Sequence, residues 1–140
     1  MSTVITDNLT GKTAAGDITI TSEGGAATQS LQQGLAKFWI NMDGTGTIST
    51  RDSLNTASIT DSQTGVYQYN STNPMSSDDY TCVYNAGNGS GNSDDSTNPG
   101  NSFSASHPNT ASQAVMETMN DVATNIDRQY IGGTWHGDLA

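Results

Sequence analysis

The chain has 140 residues, of which 32% are hydrophobic and only 13% charged, and four cations (Lys12, Lys37, Arg51, Arg128) leave a net charge of −10. That length suits one domain with a modest core. The acidity excludes the basic footprint of a nucleic-acid binder and the basic patch that holds a protein on an anionic membrane.

Thr, Ser, Asn, Gly and Gln fill most of the rest, and these are turn and strand residues more than helix formers. The expectation is an all-β fold. A disordered acidic tail would be richer in charge. No apolar run approaches the roughly 18 residues of a membrane span, so no membrane insertion is expected. None follows Met1 as in a signal peptide, so synthesis in the cytoplasm without a secretion signal is expected. The single cysteine, Cys82, excludes an internal disulfide and reads as a small buried strand residue. So little Leu, Ile, Val and Phe implies a thin core, which association between chains would thicken.

In chain order, residues 1–16 are polar and read as an extended arm, with Val4, Ile5 and Leu9 its large apolar residues after Met1. Residues 17–22, DITITS, alternate as a half-buried strand with Ile18 and Ile20 on one face. Residues 26–38 place Ala27, Leu31, Leu35 and Phe38 at helical spacing, interrupted by Gly34; a short helix and a twisted connector are both open. Residues 1–35 therefore form an attachment arm and connector, and residues 36–140 a β-domain.

AKFWINM sets Ala36, Phe38, Ile40 and Met42 on one face against Lys37, Trp39 and Asn41 on the other. Asp43-Gly44 or Thr45-Gly46 then turns the chain into a return strand. LNTASITD, with Ile59, is a further strand, SQTG a turn, and VYQYN a strand opposing Tyr67 and Tyr69 to Val66 and Gln68. After the turn NPMSSDD, fixed by Pro74, YTCVYN opposes Tyr80, Cys82 and Tyr84 to Thr81 and Val83. Residues 85–112 are low in complexity and read as a long polar surface loop, with room for a short strand near Phe103. Residues 113–131 fit an amphipathic helix through Val115, Met119, Val122 and Ile126, or two strands; the surrounding β pattern favours strands. GTWHGDLA closes the chain with a strand carrying Trp135.

One stretch resembles a calcium-binding loop. Residues 41–52, NMDGTGTISTRD, put Asn41, Asp43, Thr45, Gly46, Ile48 and Asp52 at EF-hand spacing. An EF-hand also wants a helix on each side and a bidentate Glu at its last position, where this chain has Asp52 between β-type flanks. A hairpin accounts for the same residues.

Other constellations are weak. His107 and His136 lack acids or thiols at ligand spacing, and no GxSxG marks a nucleophile. Asp94-Asp95 reads as a solvated pair, and Asn70-Ser71-Thr72 and Asn88-Gly89-Ser90 match a glycan-acceptor pattern. Tyr67, Tyr69, Tyr80 and Tyr84 suit either a carbohydrate-binding surface or the core of a sheet poor in Leu and Val; the core reading is favoured. No enzyme activity, cofactor, catalytic residue or metal ligand is expected.

The run from Gly11 to Tyr84 resembles short virion proteins of tailed bacteriophages, of the marine and cyanobacterial type, known as tail-fibre proteins. The resemblance rests on Leu35-Ala36-Lys37 with Trp39, Gly44-Thr45-Gly46-Thr47, Arg51-Asp52-Ser53 with Asn55, Ser58-Ile59-Thr60-Asp61, Gly65 with Tyr67, and the ending Gly137-Asp138-Leu139. It implies a β-sandwich-like, trimeric domain carried on the virion by an N-terminal segment, with other virion proteins as partners. A host-surface glycan or protein would be the ligand, met by the outward loop. A capsid decoration protein that stabilises the shell is the alternative, and a small calcium-binding protein a third reading.

Overall fold

The computed structural model describes residues 3–15, 17–87, 100–102, 109–120 and 123–140. It is all-β: ten strands and one helical turn are found among those residues. The chain divides into two compact units, Met1–Leu35 and Ala36–Ala140.

In the first unit, β1 (Thr19–Thr21) pairs antiparallel with β2 (Thr28–Ser30). Ser22 closes the turn between them: its hydroxyl accepts from Ala27 N–H and its carbonyl from Gly25 N–H, while Gly25 takes φ +73°, where a side chain would be strained. The four-residue α1 (Leu31–Gly34) follows β2, so the apolar spacing of 26–38 yields one helical turn between strands. The half-buried reading of residues 17–22 needs correction, since Ile20 is 49% exposed. Two three-residue strands form a single layer, and among the described residues of this unit no second sheet covers their apolar face.

The second unit has two four-stranded antiparallel sheets. The first runs β4 (Ser49–Leu54), β3 (Phe38–Asp43), β10 (Tyr130–His136), β7 (Thr81–Gly87). The second runs β5 (Thr56–Gln63), β6 (Val66–Ser71), β9 (Gln113–Met119), β8 (Gly100–Ser102). Of residues 113–131, Gln113–Met119 form β9 and Tyr130 and Ile131 start β10, and no helix is found among those described. Ala114 to Thr118 are all buried, so β9 is covered on both faces and lacks the alternation of a half-exposed strand.

One apolar cluster joins the sheets. The first sheet supplies Phe38, Ile40, Met42, Ile131 and Trp135, and the second Tyr67, Tyr69, Ala114 and Met116. Phe38 meets Trp135 edge-on at 4.5 Å and Tyr69 at 6.0 Å, an arrangement the ring quadrupoles favour. The alternation expected of residues 36–42 holds, with one addition: Lys37 is buried as well. Burial lowers its pKa, and the nearby Asp138 carboxylate acts in the opposite sense.

Asn55 makes the corner between the sheets, at φ +61°, which Asn tolerates better than most residues. Its side-chain amide donates to the carbonyls of Lys37 (3.0 Å) and Asn73 (2.8 Å), and its carbonyl oxygen accepts from Asn73 N–H (2.7 Å). The terminal Gly137-Asp138-Leu139 is held by backbone bonds: Ser76 N–H donates to Asp138, Ala140 N–H donates to Pro74, and Met75 bridges Leu139. Within residues 85–112, expected as a long polar loop, two described stretches are strand. Asn85 to Gly87 continue β7 opposite β10, and Gly100–Ser102 pair with β9. Phe103, Val122, His107, Asp94, Asp95 and the Asn88 acceptor pattern lie outside the described residues.

Candidate outer-face groove

The calcium-like stretch is a hairpin. β3 pairs with β4, Asn41 stands opposite Asp52, and a bulge falls between Asn41 and Met42. Gly46 makes the turn at φ +62°. The Asp43 carboxylate is engaged at both oxygens: one accepts from the Thr45 N–H (3.0 Å) and hydroxyl (2.7 Å), the other pairs with Arg51 (2.8 Å). The Thr45 hydrogen bonds, with Arg51 adding to them, hold the Asp43 pKa below its ordinary value. Asp52 accepts from Ser53 N–H. Strands thus replace the helices an EF-hand requires, and no group of three or more His, Cys, Asp or Glu gathers among the described residues.

What Asp43 does becomes clear from Arg51. Held by Asp43, by the Met42 carbonyl and by the Gln129 carbonyl (2.7 Å), its guanidinium lies over the Tyr130 ring, 4.7 Å from the centroid. The hairpin fixes an aromatic ring on the outer face of the first sheet.

That face carries a shallow groove. Gly132 on β10 stands between Asn41 on β3 and Asn85 on β7. Having no side chain, Gly132 leaves a floor between the two amides, and the Asn85 side chain leans over it. Tyr130 closes one end, and Val83 and Thr134 the other. Two depressions of about 340 Å³ each share Asn85 and Gly132. Trp39 and Leu54 continue the row of Val83 and Thr134 across the sheet. Val83 is 69% exposed and Tyr130 51%.

The tyrosines singled out in the sequence are elsewhere. Tyr67 and Tyr69 are fully buried, and Tyr80 and Tyr84 pack against the same cluster, so they belong to the core and not to a carbohydrate surface. Burial raises all four pKa values, Tyr80 to about 12. Cys82 is half-buried beside them, its thiol pushed up to about 11 by burial. The Tyr67 hydroxyl also shares its proton between Gly44 O (3.0 Å) and Asp127 Oδ1 (2.9 Å), tying the β3–β4 turn to the 123–129 segment. His136, at the end of β10, has Nε2 3.4 Å from the Thr134 hydroxyl. The Asn70 side chain accepts from Gln113 and donates to Ser58, both within the second sheet.

Sequence reasoning named Asn41 for the wrong reason and missed Asn85, Tyr130, Gly132 and Thr134. The available signal was the alternation in YIGGTWH, where Ile131, Gly133 and Trp135 face inward and Tyr130, Gly132 and Thr134 outward. No protein-family profile, curated protein or solved structure matches the chain.

Proposed function

We propose that the chain is a bacteriophage virion structural protein of the tail-fibre type. On this reading residues 1–35 attach it to the particle, and residues 36–140, a β-sandwich-like unit, are displayed for recognition of the host surface. It carries no enzymatic role, and three copies assemble.

The contrast between the two units carries this reading. The second closes its own core, whereas Val4 is 85% and Ile5 93% exposed, and Leu9, Ile20 and Leu35 are exposed as well. A two-stranded hairpin that bears Ile20 and is flanked by these other open apolar side chains is marginal in water by itself, and another protein surface would complete it. Strand addition or insertion into a neighbouring virion protein would supply that cover. Arm attachment also agrees with the resemblance of residues 11–84 to phage virion proteins. A Thr- and Asn-rich β-unit with one cysteine suits a particle assembled in a reducing cytoplasm without disulfides.

The test is co-sedimentation with phage particles. Val4→Asp with Ile5→Asp should abolish it and leave the unfolding of residues 36–140 unchanged. Co-sedimentation that survives both substitutions would refute attachment through this segment.

A further inference from the structure

We infer that the groove over Gly132 binds a neutral saccharide. The inference rests on the host-recognition reading above and gives that recognition a site and a ligand class.

The lining chemistry selects the class. Asn41 and Asn85 each offer an amide donor and a carbonyl acceptor, and Thr134 adds a hydroxyl, so the walls both give and accept hydrogen bonds. A polyhydroxylated ring, whose every hydroxyl does both, matches such walls. The two Asn positions are two strand spacings apart, roughly 10 Å, with only Gly132 between them. That slot admits one ring between the amides. Tyr130 supplies an apolar body with a polar tip for the C–H face of a sugar. Arg51 holds that ring in place, so little side-chain freedom is lost on binding.

Charge excludes the anionic sugars. Among the described residues no Lys, Arg or His lines the groove, Asp52 stands beside Asn41 on the neighbouring strand, and Arg51 is paired with Asp43. An acidic sugar would meet a chain of net charge −10 whose nearest cation, Arg51 on Tyr130, is already paired with Asp43.

Gly132 provides a clean test. A Cβ there would lie 3.1 Å from Asn85 Oδ1 and 3.8 Å from the Ile40 carbonyl. The nearer atom ends an exposed side chain that can turn aside, so Gly132→Val fills the floor and leaves the fold intact. Saturation-transfer NMR on the full chain would use the methyl glycosides of glucose, galactose, mannose and N-acetylglucosamine, with glucuronic and sialic acids as anionic probes. The expected result is transfer to at least one neutral glycoside at millimolar concentration. Gly132→Val and Asn41→Leu should each weaken it by about tenfold or more at unchanged melting temperature.

Failure of every neutral glycoside, preference for the anionic probes, or wild-type binding by Gly132→Val would each overturn the inference. So would a fall in oligomer mass on Gly132→Val, which would mark the face as an interface between copies. None of these results affects particle co-sedimentation through Val4 and Ile5, so the virion reading stands or falls separately.

Discussion

Replacing Asn55 should show how much of the fold hangs on one corner. Asn55→Ala removes three side-chain hydrogen bonds, to Lys37 and twice to Asn73, at 2.7–3.0 Å. At about 0.5–1.5 kcal/mol net per bond, their loss alone costs roughly 1.5–4.5 kcal/mol. Alanine must also hold φ +61°, which adds about 1 kcal/mol. These terms share one site and do not add fully, so the expected loss is about 3 kcal/mol. Asn55→Gly loses the same bonds and tolerates the dihedral, so it should be less damaging by about 0.5–1 kcal/mol. Urea unfolding followed by tryptophan fluorescence reads both variants, because Trp135 lies in the core. If both fall within 0.5 kcal/mol of the parent, or if Gly is worse than Ala, the corner is not held as described.

Other consequences are as direct. Gly133→Ala places a Cβ 2.6 Å from the buried Trp135 ring and should cost about 1–3 kcal/mol, whereas Gly132→Ala should stay within about 0.5 kcal/mol. Equal denaturation midpoints for the two adjacent variants would contradict the assigned strand faces. The pKa values of Tyr67, Tyr69, Tyr80 and Tyr84 are raised in the folded protein, which therefore holds the phenolic protons more tightly than the unfolded chain. Their stabilising contribution is complete below the ordinary value near 10 and is lost as pH rises through the folded values, Tyr80's being about 12. Absorbance at 295 nm from these four should rise together with loss of near-ultraviolet circular dichroism; their ionisation near pH 10 in a folded protein would contradict this. Light scattering should return three times the 14.6 kDa chain mass, with or without calcium; a 14.6 kDa species that folds only with calcium would restore the ion-site reading.

Local pattern was legible in the sequence, and long-range pairing was not. The alternation of Phe38, Ile40 and Met42, and of Tyr67 and Tyr69, announced strands and their core faces because a strand repeats every two residues. Gly46 and Gly65, both at positive φ, fall in the turns that the Thr-Gly pairs mark. Nothing local says that β10 lies between β3 and β7, and the groove depends on that neighbour relation, since it sets Asn41 and Asn85 on either side of Gly132. A closing strand carrying Trp135 was legible, but the two adjacent glycines hid which of its residues face outward, because neither carries a side chain to show the alternation. In the hairpin, residue types suited to an ion loop proved to serve a different contact, Asp43 anchoring the arginine that steadies Tyr130.

The most direct test of the virion assignment is immunogold electron microscopy of the phage particles, with antibody raised against residues 36–140. Gold at the distal end of the tail is the predicted result. Label confined to the head would contradict the tail placement in favour of shell decoration, and unlabelled particles beside protein free in the lysate would contradict the virion assignment altogether.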